Sequence, residues 1–185
     1  LDAGGKTLVT TENFADRSEM STEECCKVAD QIAAFAPAAL TILTGGEPMI
    51  APGVEELTQG LHSRGHHITI ETAATVWKNV ACDLASISPK LANSTPWERE
   101  SGRYAEAHEK NRINFETIRR FMQFDDYQLK FVVDQPGDLN EIDKLLALLG
   151  PVNPSNVLLM PQGITNEELG TRGGWLAEIC KQRGF

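Results

Sequence analysis

The sequence lacks several features that mark well-known classes of protein. No apolar run approaches the roughly 20 residues that span a membrane, and the first residues show no charged segment followed by an apolar one, as a signal peptide would. Positively charged residues are also few: the sequence has 17 Lys and Arg against 26 Asp and Glu, which gives a formal net charge of −9. So acidic a surface repels phosphate backbones. The sequence therefore predicts a cytoplasmic protein that binds neither membranes nor nucleic acid.

Cysteines in metal-site spacing are missing as well. The four cysteines are Cys25, Cys26, Cys82 and Cys180, and no two of them form a C-x-x-C pair. Disulfides are rare in cytosolic proteins. We interpret all four as free thiols. The neighbouring His66 and His67 are better explained as one exposed and one packed histidine than as a metal pair, because successive residues entering a strand face opposite ways.

What the sequence does contain is an alternation of short apolar strands and amphipathic helices. Its 185 residues suffice for one domain with a core, and we predict an irregular segment at 1–20 followed by one domain at 21–185. A capping box of Ser21 and Glu24 predicts the start of the first helix, and Pro37 its end. Further helices are predicted at 54–63, 114–124, 139–149 and 167–182, and strands at 40–43, 67–71, 84–87, 128–133 and 156–160.

This alternation predicts an α/β fold with a parallel sheet and helices outside it. Right-handed crossovers bring the carboxyl ends of all strands to one rim, in a wound sheet or in a barrel. Polar segments follow each predicted strand, at residues 44–48, 71–75, 88–90, 134–135 and 161–165. The sequence therefore predicts a site for a small polar ligand at that rim.

Single residues of the rim leave alternatives open. Gly45 and Gly46 allow either a tight turn or the close approach of a ligand. Lys90 fits a surface lysine, a Schiff-base lysine or a cation that pairs with a ligand carboxylate. Glu71 and Gln162 fit ligand contacts or local capping equally well.

Two further features remain undecided. Lys130, inside a predicted strand, either points into a barrel near a carboxylate or extends outward. The charged run 97–110 is interpreted as a solvated flap, with a substrate lid as the alternative.

The ordered motifs resemble those of a known family. Residues 44–48, Thr-Gly-Gly-Glu-Pro, are similar to the GGEP motif of radical S-adenosylmethionine (SAM) enzymes. Together with Ile-Glu-Thr at 70–72, Ser-Ile-Ser-Pro-Lys at 86–90 and Leu-Met-Pro-Gln at 159–162, the set resembles the 7-carboxy-7-deazaguanine synthase family.

The resemblance implies a partial (β/α) barrel of the radical SAM type, with mostly parallel strands and outer helices, often as a homodimer. It implies a carbon–nitrogen lyase of queuosine biosynthesis that converts 6-carboxy-5,6,7,8-tetrahydropterin into 7-carboxy-7-deazaguanine. The implied cofactors are SAM, a [4Fe–4S] cluster and Mg²⁺, and the implied partners are a pterin-type substrate and a flavodoxin-like electron donor.

Site residues follow from the resemblance position by position. It implies that Thr44 contacts the substrate, and it implies no catalytic or metal-ligating residue in this chain. The residues that it places at SAM are Gly45, Gly46, Glu47, Glu71, Ser88, Pro89, Lys90, Gln162, Gly163, Ile164 and Thr165.

The sequence departs from the family at its start. The CxxxCxxC-like cluster motif with the following Asp-Thr, and a Gln-Gly-Glu-Gly substrate motif, are not found. Because the SAM-side motifs are intact, we expect that the native protein extends upstream of Leu1 and that the chain as given is inactive alone. The alternatives are a non-catalytic relative that binds a nucleotide-like ligand or partner, and a Schiff-base aldolase that uses Lys90 or Lys130.

Overall fold

The computed structural model describes residues 20–37 and 39–185. Within them, helices alternate with strands as the sequence predicts, and short 3₁₀ turns join several of them. The helices are α1 (Thr22–Phe35), α2 (Val54–Ser63), α3 (Ala105–Asn111), α4 (Phe115–Phe121), α5 (Asp138–Leu149) and α6 (Asn166–Arg183). The strands are β1 (Thr41–Leu43), β2 (Ile68–Thr72), β3 (Leu84–Ile87), β4 (Asp126–Val133) and β5 (Val157–Pro161).

The five strands form one sheet in the order β1-β2-β3-β4-β5, and each neighbouring pair is parallel. Sequential order with parallel pairing means that every connection crosses over in the same sense, as in a (β/α) barrel. The predicted α/β class is confirmed. All strand carboxyl ends consequently meet at one rim.

One face of the sheet forms the core with the helices. Ile70, Ile87, Leu129 and Phe131 alternate with less buried neighbours and are fully buried. They belong to the same cluster as buried side chains of the helices, such as Phe121 of α4. Burying one such side chain stabilises the fold by about 1.5–3 kcal/mol. This apolar layer fixes the strand register, because a slip of one residue would turn every side chain to the other face.

The opposite face of the sheet is more open and carries polar groups. Glu71, Gln128 and Lys130 occupy alternate positions facing this side and are only partly buried. Apolar Ile42 and Met160 on the same side are 52% and 46% exposed. In a (β/α) barrel this face lines the interior.

The capping box predicted from the sequence is present at the start of α1. The Ser21 side chain accepts a hydrogen bond from the Glu24 amide at 3.3 Å, and the Glu24 carboxylate accepts one from the Ser21 amide at 2.9 Å. The first helix ends at Phe35, just before Pro37. A second capping box, Thr165 with Glu168, starts α6.

The run 97–110, predicted as a solvated flap, is mostly exposed, but it also carries most of a helix that the sequence did not predict. This helix, α3, has only one buried residue, Ala105. A helix held by so small an apolar face leaves no 3.6-residue hydrophobic period to detect. The predicted irregular segment at 1–20 lies outside the described residues, apart from Met20.

Candidate functional site

A cavity of about 680 Å³ opens at the carboxyl rim of the sheet, between the loops that follow β3, β4 and β5. This volume lies within the roughly 300–1,000 Å³ typical of small-molecule sites. Six of its lining residues are among those placed at SAM by the motifs: Ser88, Pro89, Lys90, Gln162, Gly163 and Ile164. The structure thus joins two motifs that are more than 70 positions apart in the sequence.

The loop after β3 is anchored at both ends of its motif. The Ser88 amide donates to the Thr72 carbonyl at 2.7 Å, which continues the β2–β3 pairing. Pro89 and Leu91 are buried on either side of Lys90. Lys90 therefore extends from a fixed backbone toward the cavity.

A buried carboxylate ties this loop to the next one. Asp138, at the start of α5 and 8% exposed, accepts from the Asn93 side chain at 2.8 Å and from the Asp134 amide at 2.8 Å. Asn93 also donates to the Val132 carbonyl at 3.1 Å. The walls formed by the loops after β3 and β4 are consequently held as one unit.

The loop after β5 is fixed by the start of α6. The Gln162 amide donates to the Val133 carbonyl at 2.8 Å, and the Glu168 carboxylate accepts from the amides of Ile164 and Thr165 at 2.9 and 3.1 Å. The hydrogen bonds from Ile164 and then Thr165 hold the pKa of Glu168 below its ordinary value. The carboxylate thus stays ionised where it shapes this wall.

Charge in the cavity is divided between paired and unpaired groups. Arg172 of α6 donates to the Asp134 carbonyl at 3.0 Å and forms an ion pair with its carboxylate at 2.7 Å. Within residues 20–37 and 39–185, the Lys90 ammonium has no ion-pair partner. Of the two cations, Lys90 is therefore the one available to an anionic ligand.

The glutamate of the Gly-Gly-Glu-Pro turn is bonded to neighbouring loops of the protein and does not line the rim cavity. Glu47 accepts from the Thr72 hydroxyl at 2.6 Å, the Ala73 amide at 3.0 Å and the Met49 amide at 3.2 Å. Its carboxylate is thus occupied in joining the loop after β1 to the loop after β2. Neither Glu47 nor the two glycines is among the residues that line the rim cavity.

The two glycines leave open space beside their backbone. Gly45 has a φ of +135°, which favours glycine, and a Cβ added at Gly45 or Gly46 would meet no atom within 4 Å. The need for glycine at position 45 is therefore set by backbone conformation, and the backbone of both residues is approachable from solvent.

A second polar cluster lies on the open face of the sheet. The Thr44 hydroxyl donates to Glu71 at 2.9 Å, and the Lys130 ammonium lies 3.4 Å from the other oxygen of Glu71. The structure thereby decides the two alternatives for Lys130: it faces the open side beside a carboxylate. Thr44 and Glu71 are brought together as residues of this cluster, outside the rim cavity.

Sequence reasoning missed part of the cavity wall. Arg172, Asn93 and His108 line it and were not singled out. Arg172 lies seven residues after Thr165, two helical turns along the same face of α6, a spacing that could have identified it. Thr165, placed at SAM by the motifs, uses its hydroxyl to accept from the Glu168 amide at 3.2 Å and is absent from the cavity lining.

The described residues were compared with the ligand sets that metal ions and iron–sulfur clusters require. In the part of the chain that the structure describes, no three His, Cys, Asp or Glu side chains converge in a way that could hold a metal ion. The free thiols of Cys25 and Cys26 lie on α1, Cys180 on α6 and Cys82 beside β3. His66 is packed against Asp30 at 2.9 Å while His67 is exposed, as the sequence predicts. The described residues do not fit a [4Fe–4S] cluster.

Comparison with known proteins identifies the relatives of this chain. No family model matches it. It is 43% identical to a 7-carboxy-7-deazaguanine synthase of Rhodopirellula baltica over 145 residues, which make up 78% of this chain and 56% of that protein. A 7-carboxy-7-deazaguanine synthase of Halobacterium salinarum is 37% identical over 153 residues, 78% of this chain and 60% of that protein.

The chain is a homologue of the 7-carboxy-7-deazaguanine synthases. The relationship predicted from the motifs is confirmed. This chain spans only 56–60% of the length of those curated 7-carboxy-7-deazaguanine synthases.

A solved structure shows the same fold. The crystal structure of QueE from Escherichia coli superposes with a TM-score of 0.60 at 23% identity, over 96% of this chain and 69% of that chain. At this identity the likeness concerns the fold, and it confirms the predicted α/β architecture. Among the described residues, no helix combines the length and apolar character needed to cross a membrane.

Proposed function

We propose that this chain provides the SAM-binding rim of a 7-carboxy-7-deazaguanine synthase, a lyase that acts on a pterin-type substrate in queuosine biosynthesis. The observation that carries the proposal is the rim cavity, where the loop holding Lys90 and the loop holding Gln162 face one another. The homology to curated 7-carboxy-7-deazaguanine synthases supports it.

The chemistry of the cavity suits the amino-acid end of SAM. Lys90 offers an ammonium group without a carboxylate partner among the described residues, and the ligand carboxylate would supply one. Gln162 and the backbone of Gly163 would line the adenosine side. Bound SAM would supply the radical chemistry, and the protein would supply orientation and exclusion of water.

The roles of the Gly-Gly-Glu-Pro turn differ within the motif. The motif resemblance places the ammonium group of SAM at the backbone of Gly45 and Gly46, which is open but lies outside the lining of the rim cavity. Glu47, with its carboxylate bonded to three groups of the protein, would hold that backbone in place. In the same way, Glu71 is bonded to Thr44 and Lys130 and would orient Thr44 toward the substrate.

Further expectations of the proposal stay predictions. They are the [4Fe–4S] cluster, Mg²⁺, a homodimer, a flavodoxin-like electron donor and a cytoplasmic location. Because the described residues supply no ligand set for a cluster or metal ion, no step of the reaction is assigned through either group.

Calorimetry with S-adenosylhomocysteine tests the binding site. This SAM analogue keeps the adenosine and the amino-acid carboxylate. Lys90→Ala should weaken its binding by about 1.5–3 kcal/mol, the range for a hydrogen bond to a charged group. Lys144→Ala, which removes an exposed lysine of α5, is the matched control and should leave the affinity unchanged. Equal affinities for wild type and Lys90→Ala would remove Lys90 from the site.

Genetic complementation tests the activity. The gene that encodes this chain is introduced into a host that lacks its own 7-carboxy-7-deazaguanine synthase, and queuosine in tRNA is measured by mass spectrometry. Return of queuosine supports the synthase. Binding of S-adenosylhomocysteine without return of queuosine would favour the non-catalytic relative instead.

A further inference from the structure

The loop that carries Lys90 is held from behind by an ion pair. Arg112, between α3 and α4, donates from Nη1 to the Lys90 carbonyl at 2.9 Å and to the Glu141 carboxylate at 2.6 Å. The other oxygen of Glu141 accepts from the Ala92 amide at 3.0 Å. A single Arg–Glu pair thus holds the backbone on both sides of Leu91, which is 2% exposed.

The surroundings of the pair restrict its geometry. The Arg112 side chain is 14% exposed and that of Glu141 26%. Arg112 donates from Nε to a third residue, Glu109, at 3.0 Å, so that both sides of its guanidinium are engaged. Glu109 also accepts from the Thr95 hydroxyl. The loop therefore meets a fixed arrangement of donors and acceptors rather than a single mobile side chain.

The physical chemistry of such a pair favours a role in geometry over one in stability. Partly buried ion pairs contribute little net stability, because the cost of removing the charges from water offsets their attraction. What the pair does provide is a fixed backbone at Lys90. A ligand that had to order this loop itself would lose roughly 1–2 kcal/mol per residue fixed.

We infer that Arg112 and Glu141 are positioning residues that aim Lys90 at the carboxylate of the ligand in the rim cavity. This inference rests on the proposed function, since it takes the ligand to be SAM. Neither residue lines the cavity, and both act through the backbone of the loop 90–92.

Two ligands separate positioning of Lys90 from general support of the cavity. S-adenosylhomocysteine carries the amino-acid carboxylate, whereas 5′-methylthioadenosine keeps the adenosine and the thioether without it. Glu141→Ala should weaken S-adenosylhomocysteine binding about five- to tenfold, the equivalent of one hydrogen bond, and change 5′-methylthioadenosine binding less than twofold. Both affinities are measured by calorimetry on the full chain.

A matched control lies on the same helix. Asp143 of α5 also pairs with an arginine, Arg183, at a place remote from the loop. Asp143→Ala should leave both affinities unchanged. Where Glu141→Ala fails to fold, Glu141→Gln replaces it, because the amide oxygen can serve Ala92 or Arg112 but not both at full strength.

Hydrogen exchange of the ligand-free chain gives an independent readout. The Ala92 amide should exchange faster in Glu141→Ala than in wild type. In Asp143→Ala its exchange rate should equal that of wild type. Unchanged exchange at Ala92, or equal loss of affinity for the two ligands, would overturn the inference. A wild-type chain that binds neither ligand would contradict the proposed function, and the exchange rates would still show whether the pair fixes the loop.

Discussion

Replacement of Glu47 by alanine tests whether the glutamate of the Gly-Gly-Glu-Pro turn stabilises the fold by joining the loops after β1 and β2. Its carboxylate accepts three hydrogen bonds, from Thr72, Ala73 and Met49. Thr72 is 3% exposed and Met49 is fully buried, so the donors of these residues have little access to water once the carboxylate is gone.

The expected magnitude follows from those contacts. A hydrogen bond to a charged group contributes about 1.5–3 kcal/mol, and a buried donor left unpaired costs about 1–3 kcal/mol. Because three bonds to one carboxylate are not additive, we expect Glu47→Ala to lower the free energy of unfolding by about 2–4 kcal/mol. That is a large share of the roughly 5–15 kcal/mol that stabilises a domain.

Urea denaturation followed by circular dichroism measures this free energy. Glu116→Ala is the control, since Glu116 forms an exposed pair with Arg120 on α4, and it should cost less than about 0.5 kcal/mol. A loss below 1 kcal/mol for Glu47→Ala, or a loss equal to that of the control, would refute the structural role of this carboxylate.

Three further outcomes follow from the walls of the cavity and its surroundings. A Cβ at Gly163 would lie 3.0 Å from the Cβ of Glu168, so Gly163→Ala should lower the free energy of unfolding by about 1–3 kcal/mol. Gly137→Ala is the control, because a Cβ there meets no atom within 4 Å, and thermal unfolding should show no such loss for it. The lowered pKa of Glu168 means that its stabilising contribution is present above its ordinary pKa and is lost as pH falls through the folded pKa. The Ile164 amide signal in NMR should accordingly titrate with a midpoint below the ordinary pKa of a glutamate, and a midpoint at or above that ordinary value would contradict the contact. Burial raises the pKa of the Cys82 thiol to about 11, so its alkylation by iodoacetamide at pH 8 should be much slower in the folded chain than in urea; equal rates would refute this.

The sequence predicted the elements that are marked by local chemistry. The first helix begins at the capping box of Ser21 and Glu24, and α2 and β3 have the predicted bounds. In each case the signal lies within a few residues of the boundary. The helix α3 escaped prediction because its only buried residue is Ala105.

The candidate site was predictable as a set of loops but not as a geometry. Parallel strands must bring Lys90 and Gln162 to one rim, and the structure shows them on one cavity. The partners of Glu47 and Lys130 depend on the alignment of neighbouring strands, which sequence spacing does not specify. Arg112 lies in none of the strand-end motifs, and its role depends on where α5 packs.

A SAM site at the carboxyl rim is tested most directly by mapping the bound SAM analogue on the chain. Chemical shifts of backbone amides, recorded with and without S-adenosylhomocysteine, should change at residues 88–92 and 162–164, and Lys90→Ala should need a higher ligand concentration for the same change. Shifts confined to the edge strand β1 and helix α1, with none at Lys90 or Gln162, would contradict a SAM site at this rim.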